Sequence, residues 1–209
     1  APYRGQDVID ALTRLNGQMS HLSGFVKLVS GDIEEADNKA YLDYIVRSFG
    51  NVRSYDDFLN NITCGIFVPT ILKRTVTEFS VSGIEKLDPD KGYVFISNHR
   101  DIILDCALLD YALSKAKLPV CEMAFGDNLI VNSFIEDLFR LNGGIIIRRE
   151  LPIREKYIES IKISEYFHQL ITEVHHSVWV AQKSGRSKDG LDITQPAILK
   201  MLFLSQRSS

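Results

Sequence analysis

Only three cysteines occur in the chain, Cys64, Cys106 and Cys121, and they are scattered through apolar surroundings. An odd number so placed makes a disulfide framework unexpected, and a reducing cytosol suits it best. Metal-ligand spacing is missing as well. His21, His99 and His168 stand apart, and the adjacent His175-His176 pair precedes a strand pattern, where it reads as structural. Long apolar runs are also lacking. The longest, Ile62 to Leu72, contains Gly65 and Pro69 and is far shorter than the ~20 residues a spanning helix needs. The opening Ala1-Pro2-Tyr3-Arg4 has none of the charged, apolar and small-residue order of a secretory signal, and the missing methionine points to a trimmed start. Finally, no sign of charge dominates. A net charge of −3 argues against nucleic-acid binding, although Lys73-Arg74, Arg148-Arg149 and Lys183 to Lys188 could each meet an anionic ligand locally.

Apolar residues are plentiful: 45% of 209 residues is enough for one α/β domain with a helical appendage. Residues 1–74 read as an N-terminal helical region, with segments near Asp7 to Leu15, Met19 to Leu28, Glu34 to Phe49 and Tyr55 to Leu72. The last carries Phe58, Leu59, Ile62, Ile66, Phe67, Ile71 and Leu72 ahead of Lys73-Arg74. That pattern fits either an interfacial membrane helix or a helix packed on the main domain. From Thr75 the character changes. Thr75 to Val81 alternates like a strand, and Tyr93 to Ser97 reads as a buried strand. There follow a helix from Asp101 to Lys115, a strand Pro119 to Ala124, a helix Ser133 to Leu141, a strand Gly144 to Arg148, a helix Glu155 to His175 and a strand Ser177 to Ala181. Such alternation predicts an α/β fold over 75–209, with a mostly parallel central sheet flanked by helices.

Three segments carry chemistry, each at the carboxyl end of an expected strand, the edge where open α/β sheets bind ligands. The first is Ser97-Asn98-His99-Arg100-Asp101-Ile102-Ile103-Leu104-Asp105. Imidazole titrates near neutrality, and a carboxylate on one ring nitrogen fixes the tautomer that leaves the other as a base. Asp101 and Asp105 both compete for that role, Asp101 also as a helix cap; the bland alternative makes Asn98 and Asp101 turn residues and His99 an ordinary surface group. The second segment, Gly143-Gly144-Ile145-Ile146-Ile147-Arg148-Arg149, joins glycines that permit close backbone approach to a guanidinium fork suited to phosphate or carboxylate. The third, Trp179-Val180-Ala181-Gln182-Lys183-Ser184-Gly185-Arg186-Ser187-Lys188-Asp189-Gly190, runs a strand into a loop whose Gly185, Arg186 and Lys188 could cradle an anion on backbone N–H groups and cations.

Together these segments resemble the glycerolipid acyltransferases, the superfamily of glycerol-3-phosphate and lysophosphatidic acid acyltransferases, over roughly Tyr93 to Met201. The first block of that family, Asn/Ser-His followed by aspartate after four residues, is matched by Asn98-His99, but Leu104 fills the usual aspartate position and Asp105 follows it. This longer spacing is similar to a bacterial branch reading Asn-His-Arg-Asp-Ile-x-Leu-Asp. The second block, glycine and a short apolar strand ending in arginine, is matched by Gly143 through Arg149. The third, glutamate-glycine-x-arginine-serine, corresponds to Lys183 through Ser187, where Lys183 or Ser184 stands in place of the glutamate. The fourth, an apolar segment with proline, has no counterpart before Ser209.

The resemblance implies an O-acyltransferase that moves a fatty acyl group from an acyl carrier protein or coenzyme A thioester to a glycerol phosphate, a lysophospholipid or an amino-acid lipid. His99 would be the general base, partnered by Asp105 or Asp101. The implied substrate site comprises Asn98, Arg100, Gly143, Gly144, Arg148, Arg149, Gly185, Arg186, Ser187 and Lys188. No metal or bound cofactor is implied, the thioester being a co-substrate. Peripheral contact with the cytoplasmic face of the inner membrane is the matching location. The missing glutamate supports a competing reading, an impaired or non-catalytic module that binds acyl lipid or acyl carrier. A serine hydrolase pairing Ser187 with His99 would lack the Gly-x-Ser-x-Gly elbow.

Overall fold

The apolar periodicity of the first 75 residues folds as helices. The computed structural model describes residues 1–31, 34–183, 185–189 and 193–208. In α1 (Gln6–Gly17), Val8, Ala11, Leu12 and Leu15 form one buried stripe at helical spacing. α2 (Met19–Ser30) buries Leu22, Val26 and Val29, and α3 (Glu35–Phe49) buries Ile45 and Phe49. The fourth helical rod begins at a reciprocal cap. Ser54 Oγ accepts from the Asp57 N–H at 3.0 Å, while the Asp57 carboxylate accepts from the Ser54 N–H at 3.1 Å. The rod runs through α4 (Tyr55–Asp57), a π-helical stretch Phe58–Phe67 and α5 (Val68–Thr75). Pro69 has no N–H to donate, so the winding changes where the proline enters. Phe58, Leu59, Ile62, Ile66 and Phe67 are at most 7% exposed. Helix packing is therefore the alternative realised in this segment, and its apolar face is unavailable to a bilayer.

The sheet comprises β1 (Val94–Ser97), β2 (Cys121–Gly126), β3 (Gly144–Ile147) and β4 (Ser177–Ala181) in the order β1-β4-β2-β3, with every neighbouring pair parallel. Register places Ser97 opposite Ala181 and Gly126 opposite Ile147, so the carboxyl ends of all four strands share one edge. Between the strands run α6 (Leu104–Lys115), α7 (Ser133–Leu141) and α8 (Ile153–Thr172), and α9 (Pro196–Leu202) follows β4. Met123, Phe125 and Trp179 face α6 and the π-helical stretch through Cys106, Leu113 and Leu59. Ile145, Val178 and Val180 face α8 and α9 through Phe167, Leu170 and Ile198. Each central strand thus divides its side chains between two covered faces, which is why β2 and β4 read as nearly continuous apolar runs.

Two expected strands differ. Thr75 ends α5, and residues 76–82 run exposed without a strand partner. Alternation there is not enough without a neighbouring strand; Phe79 rests instead against the Tyr111 ring at 5.8 Å. The strand ending at Ser97 is an edge strand rather than a buried one, with Val94 and Ile96 each 37% exposed. Boundaries also moved. α6 begins at Leu104 rather than Asp101, α8 spans Ile153–Thr172, and α9 was not anticipated from the sequence.

Candidate active site

β1 delivers Ser97 to the carboxyl edge, and residues 98–103 turn the chain into α6. Asp101 forms that turn: its Oδ1 accepts from the N–H groups of Ile103 at 2.9 Å and Leu104 at 2.8 Å, a side-chain turn ahead of the helix rather than its N-cap, which is Ile103. Asp105, in the first turn of α6, points back. Its Oδ2 accepts from the N–H groups of Arg100 at 2.7 Å and Asp101 at 3.0 Å and stands 2.9 Å from His99 Nδ1. The competition between the two aspartates for the imidazole is therefore resolved geometrically in favour of Asp105. A carboxylate acceptor at Nδ1 calls for the proton there, which leaves the lone pair on Nε2. Both side chains are mostly shielded, at 18% and 16% exposure.

The imidazole rests on β4. Its ring meets Trp179 edge to face, with centroids 6.1 Å apart, and the indole N–H donates to Ser97 Oγ at 2.9 Å. Sequence reasoning did not assign Trp179 a site role. The usable signal was an indole N–H on a central strand, which needs a buried acceptor, but the β1–β4 pairing that supplies one is a long-range fact. Gln182, just past β4 and 8% exposed, lies within the third segment but has no role assigned from the sequence, because its partners too are set by long-range pairing. Its amide donates to Asn98 Oδ1 at 2.7 Å and accepts from Thr194 Oγ1 at 3.1 Å, while its backbone bonds Ser97 and Gln195.

The third segment is thereby stitched to the first. Ser187 donates its N–H to the His99 carbonyl at 2.6 Å. Gly185 takes φ +78°, a left-handed turn that favours glycine. Gly185, Arg186 and Lys188 are exposed beside the histidine turn, as are Asn98 and Arg100. Ser184, a candidate for the missing glutamate position, lies outside the described residues.

The second segment divides its residues. Gly143 has φ +72°, and the Gly144 α-carbon lies against the Phe139 carbonyl, where any Cβ would collide. The paired glycines thus close the turn from α7 into β3, and both are buried. Arg148 is taken up by Glu159 of α8 at 3.1 Å. Arg149 instead turns toward the end of β2: its N–H donates to Asp127 Oδ1 at 3.2 Å, and its guanidinium lies on the Gly126 α-carbon. Among the described residues no carboxylate pairs with the Arg149 side chain. β1 and β3 are three strand spacings apart, roughly 14 Å. His99 and the third segment are close neighbours, whereas Arg149 stands across the edge from them.

The opposite edge of the sheet holds different chemistry. Glu122, fully buried on β2, accepts from Arg4 at 2.6 Å, Tyr55 at 3.1 Å and Tyr166 at 2.5 Å. Burial and the Glu122 carboxylate push the Tyr55 phenol well above its ordinary range. Beside this network opens a cavity of about 560 Å³ bordered by Asp56, Asn60, Asp90, Pro119 and His176. It shares no residue with the histidine edge. Among the described residues no three His, Cys, Asp or Glu side chains converge as metal ligands. All three cysteines are buried thiols, and burial pushes Cys64 up to about 12.

A parallel sheet that gathers a histidine–aspartate pair and exposed cations at its carboxyl edge defines an α/β protein whose chemistry-bearing side chains share one rim. The family model for acyltransferases matches residues 78–192, more than half of the chain, from the extended segment before β1 to the loop after β4. The chain belongs to this acyltransferase family and carries its domain behind the helices α1–α5. No curated protein matches it.

Proposed function

We propose that this chain is an O-acyltransferase in which His99 is the general base. The acceptor is a lipid or lipid precursor bearing a free hydroxyl: a glycerol phosphate, a lysophospholipid or an amino-acid lipid. The donor is the thioester of an acyl carrier protein or coenzyme A. His99 Nε2 takes the hydroxyl proton as the acceptor oxygen attacks the thioester carbonyl carbon. The tetrahedral intermediate then collapses, the C–S bond breaks, and the departing thiolate receives the proton from the imidazolium. No acyl-enzyme is needed. The observation that carries this reading is the 2.9 Å contact from Asp105 to His99 Nδ1, inside the family match. A carboxylate so placed favours the imidazolium that forms during attack.

Arg186, Lys188 and Arg100 lie beside the histidine and would hold the anionic group of the acceptor; Arg149 would reach it from the far side of the rim. Fixing the acceptor in this way makes the attack effectively intramolecular. Arg148 contributes less, because Glu159 engages it. The membership of a bacterial branch, a place in phospholipid synthesis and peripheral attachment to the inner membrane face belong to the same reading. Among the described residues no helix is long and apolar enough to cross a membrane.

The test is mass-spectrometric detection of acyl transfer from acyl-carrier and acyl-coenzyme A donors to an acceptor panel. His99→Ala is expected to lower turnover by about 10²–10⁴ while its melting temperature stays near that of the wild type. Equal turnover in that variant would sink the mechanism. A second reading, an acyl-lipid or acyl-carrier binding module, rests on Lys183-Ser184 standing where the family has glutamate. Saturable binding with no product from any pair would support it.

A further inference from the structure

We infer that Gln182 is a positioning residue of the candidate active site: it holds the turn that carries His99 and the segment that carries Arg186 and Lys188 in one fixed arrangement. The inference deepens the acyltransferase reading and rests on it for what the positioned groups do.

The first observation is burial. Of the residues that directly follow the four strands, Asn98, Asp127, Arg148 and Gln182, only Gln182 is buried. A buried carboxamide needs partners at both of its ends, and Gln182 engages both ends and both backbone groups. Its side-chain N–H donates to Asn98 Oδ1 at 2.7 Å, and its Oε1 accepts from the Thr194 hydroxyl at 3.1 Å. Its backbone N–H donates to the Ser97 carbonyl at 2.9 Å, and its own carbonyl accepts from the Gln195 N–H at 2.8 Å. The chain therefore leaves β4 at Gln182 and returns to the same residue at Thr194 and Gln195.

The second observation is where these bonds lead. Asn98 is exposed and Thr194 half-buried, so water could serve both, and satisfying them does not require a glutamine. Nor does the sheet require one, since β1 and β4 already pair from Val94–Val178 to Ser97–Ala181. What the glutamine adds is position. Asn98 shares a rigid peptide plane with His99, so anchoring its side chain fixes the end of the turn from which the imidazole projects, while Asp105 holds Nδ1 from the other side at 2.9 Å. Thr194 and Gln195 hold the return of the segment in which the Ser187 N–H reaches the His99 carbonyl at 2.6 Å. Arg186 and Lys188 flank that contact in the chain. Base and cations are thus referred to one buried side chain, and displacing a reacting group by about 1 Å can cost roughly 10²-fold in rate.

Gln182→Met keeps the length of the side chain and both backbone bonds and removes both side-chain bonds. Thr194→Val keeps the Asn98 bond and removes only the one at the return of the segment. The experiment measures amide hydrogen exchange by NMR in the wild type and both variants, with melting temperatures, and then transfer kinetics on the acceptor that the wild type uses. Exchange of the Ser187 amide should quicken at least about tenfold in both variants, while the amides that pair β2 with β3 stay as in the wild type. Thr194→Val should raise the acceptor KM several-fold at wild-type kcat. Gln182→Met should raise that KM and also lower kcat by about 10–10²-fold, because it alone frees Asn98. Wild-type exchange at Ser187 in Gln182→Met would overturn the proposal. So would faster exchange with kcat and KM unchanged, the result of a glutamine that only supports the fold. If the wild type transfers no acyl group, the acyltransferase reading falls on that result, while Ser187 exchange still decides whether Gln182 holds the two segments together. If Gln182→Met does not fold, Thr194→Val decides: Ser187 exchange and acceptor KM both at wild-type values would overturn the proposal.

Discussion

Asp105 accepts three hydrogen-bond donors through one oxygen, and only one of them is the imidazole. That division makes Asp105→Asn informative. An amide oxygen can still accept from Arg100 and Asp101, so the turn survives. The same oxygen position faces Nδ1, so the amide keeps that contact but lacks the negative charge that stabilises the imidazolium formed during attack. Turnover is expected to fall by about 10²–10⁴ with little change in melting temperature. Asp101→Ala should show the converse. Its carboxylate holds the N–H groups of Ile103 and Leu104 in the turn that leads into α6, so the variant loses about 0.5–1.5 kcal/mol per bond, while turnover falls less than in Asp105→Asn. Steady-state rates and thermal melts on the two variants check the ranking; the reverse order would reassign the partner of His99. At this scale the histidine and its candidates were legible because residue type and motif order announce them. The sorting of adjacent residues was not. Arg148 and Arg149 are chemically identical neighbours, and only the position of α8 shows that Glu159 takes one of them.

Elements were legible where a segment's own pattern decides its structure. β4 and α7 have the expected bounds, Ser177–Ala181 and Ser133–Leu141, because a compact apolar run and an Asn132-capped helical stripe are local signals. Residues 76–82 failed because a strand exists only with a partner, and the pairing order that leaves them out is not a local property. Packing between elements also sets two outcomes. The Gly126 α-carbon supports the Arg149 guanidinium, and a methyl group there would meet the side chains of Arg149 and Asn128 rather than backbone. Gly126→Ala should therefore displace Arg149 and raise the acceptor KM several-fold, with a stability change below about 1.5 kcal/mol. Kinetics against acceptor concentration test this, and an unchanged KM would remove Arg149 from the acceptor site. Asp110 of α6 is fully buried; one oxygen accepts from the Cys121 N–H at 2.7 Å, and the other has no partner among the described residues. Burial holds its carboxyl well above the usual 3.8. The native state therefore binds a proton that the unfolded state releases, so this group's contribution is fully present below 3.8 and is lost as pH rises from there through the native value. Asp110→Asn should change the melting temperature little in acid and raise it increasingly toward neutral pH. A gain that shrinks with rising pH would refute the assignment.

For the whole molecule, the decisive feature is that the acyltransferase domain does not enclose its own core. The family match begins at residue 78, yet Phe134, Leu138 and Leu141 of α7, at 3%, 7% and 0% exposure, are packed in one cluster with α1, α2 and the π-helical stretch. Leu59 of that stretch joins the cluster beneath the sheet as well. A second tie crosses the amino edge, where Arg4 reaches Glu122 at 2.6 Å. Glu122 is fully buried while the Arg4 side chain is 54% exposed, so solvent screens this pair and the tether adds less than the apolar contacts do. Stripping residues 1–74 would uncover three large apolar side chains on α7 alone, at about 1.5–3 kcal/mol each, against a total stability of about 5–15 kcal/mol for an ordinary domain. Residues 75–209 expressed alone are thus expected to aggregate, or to lack a cooperative thermal transition, even though they contain His99, Asp105 and every cation proposed for the acceptor. Circular dichroism melts and size-exclusion chromatography of that fragment test the point. A monomeric, cooperatively melting fragment would mean that α7 repacks without the helices. Aggregation would assign the N-terminal helices to the interior of the acyltransferase body, with α7 as the element that needs them.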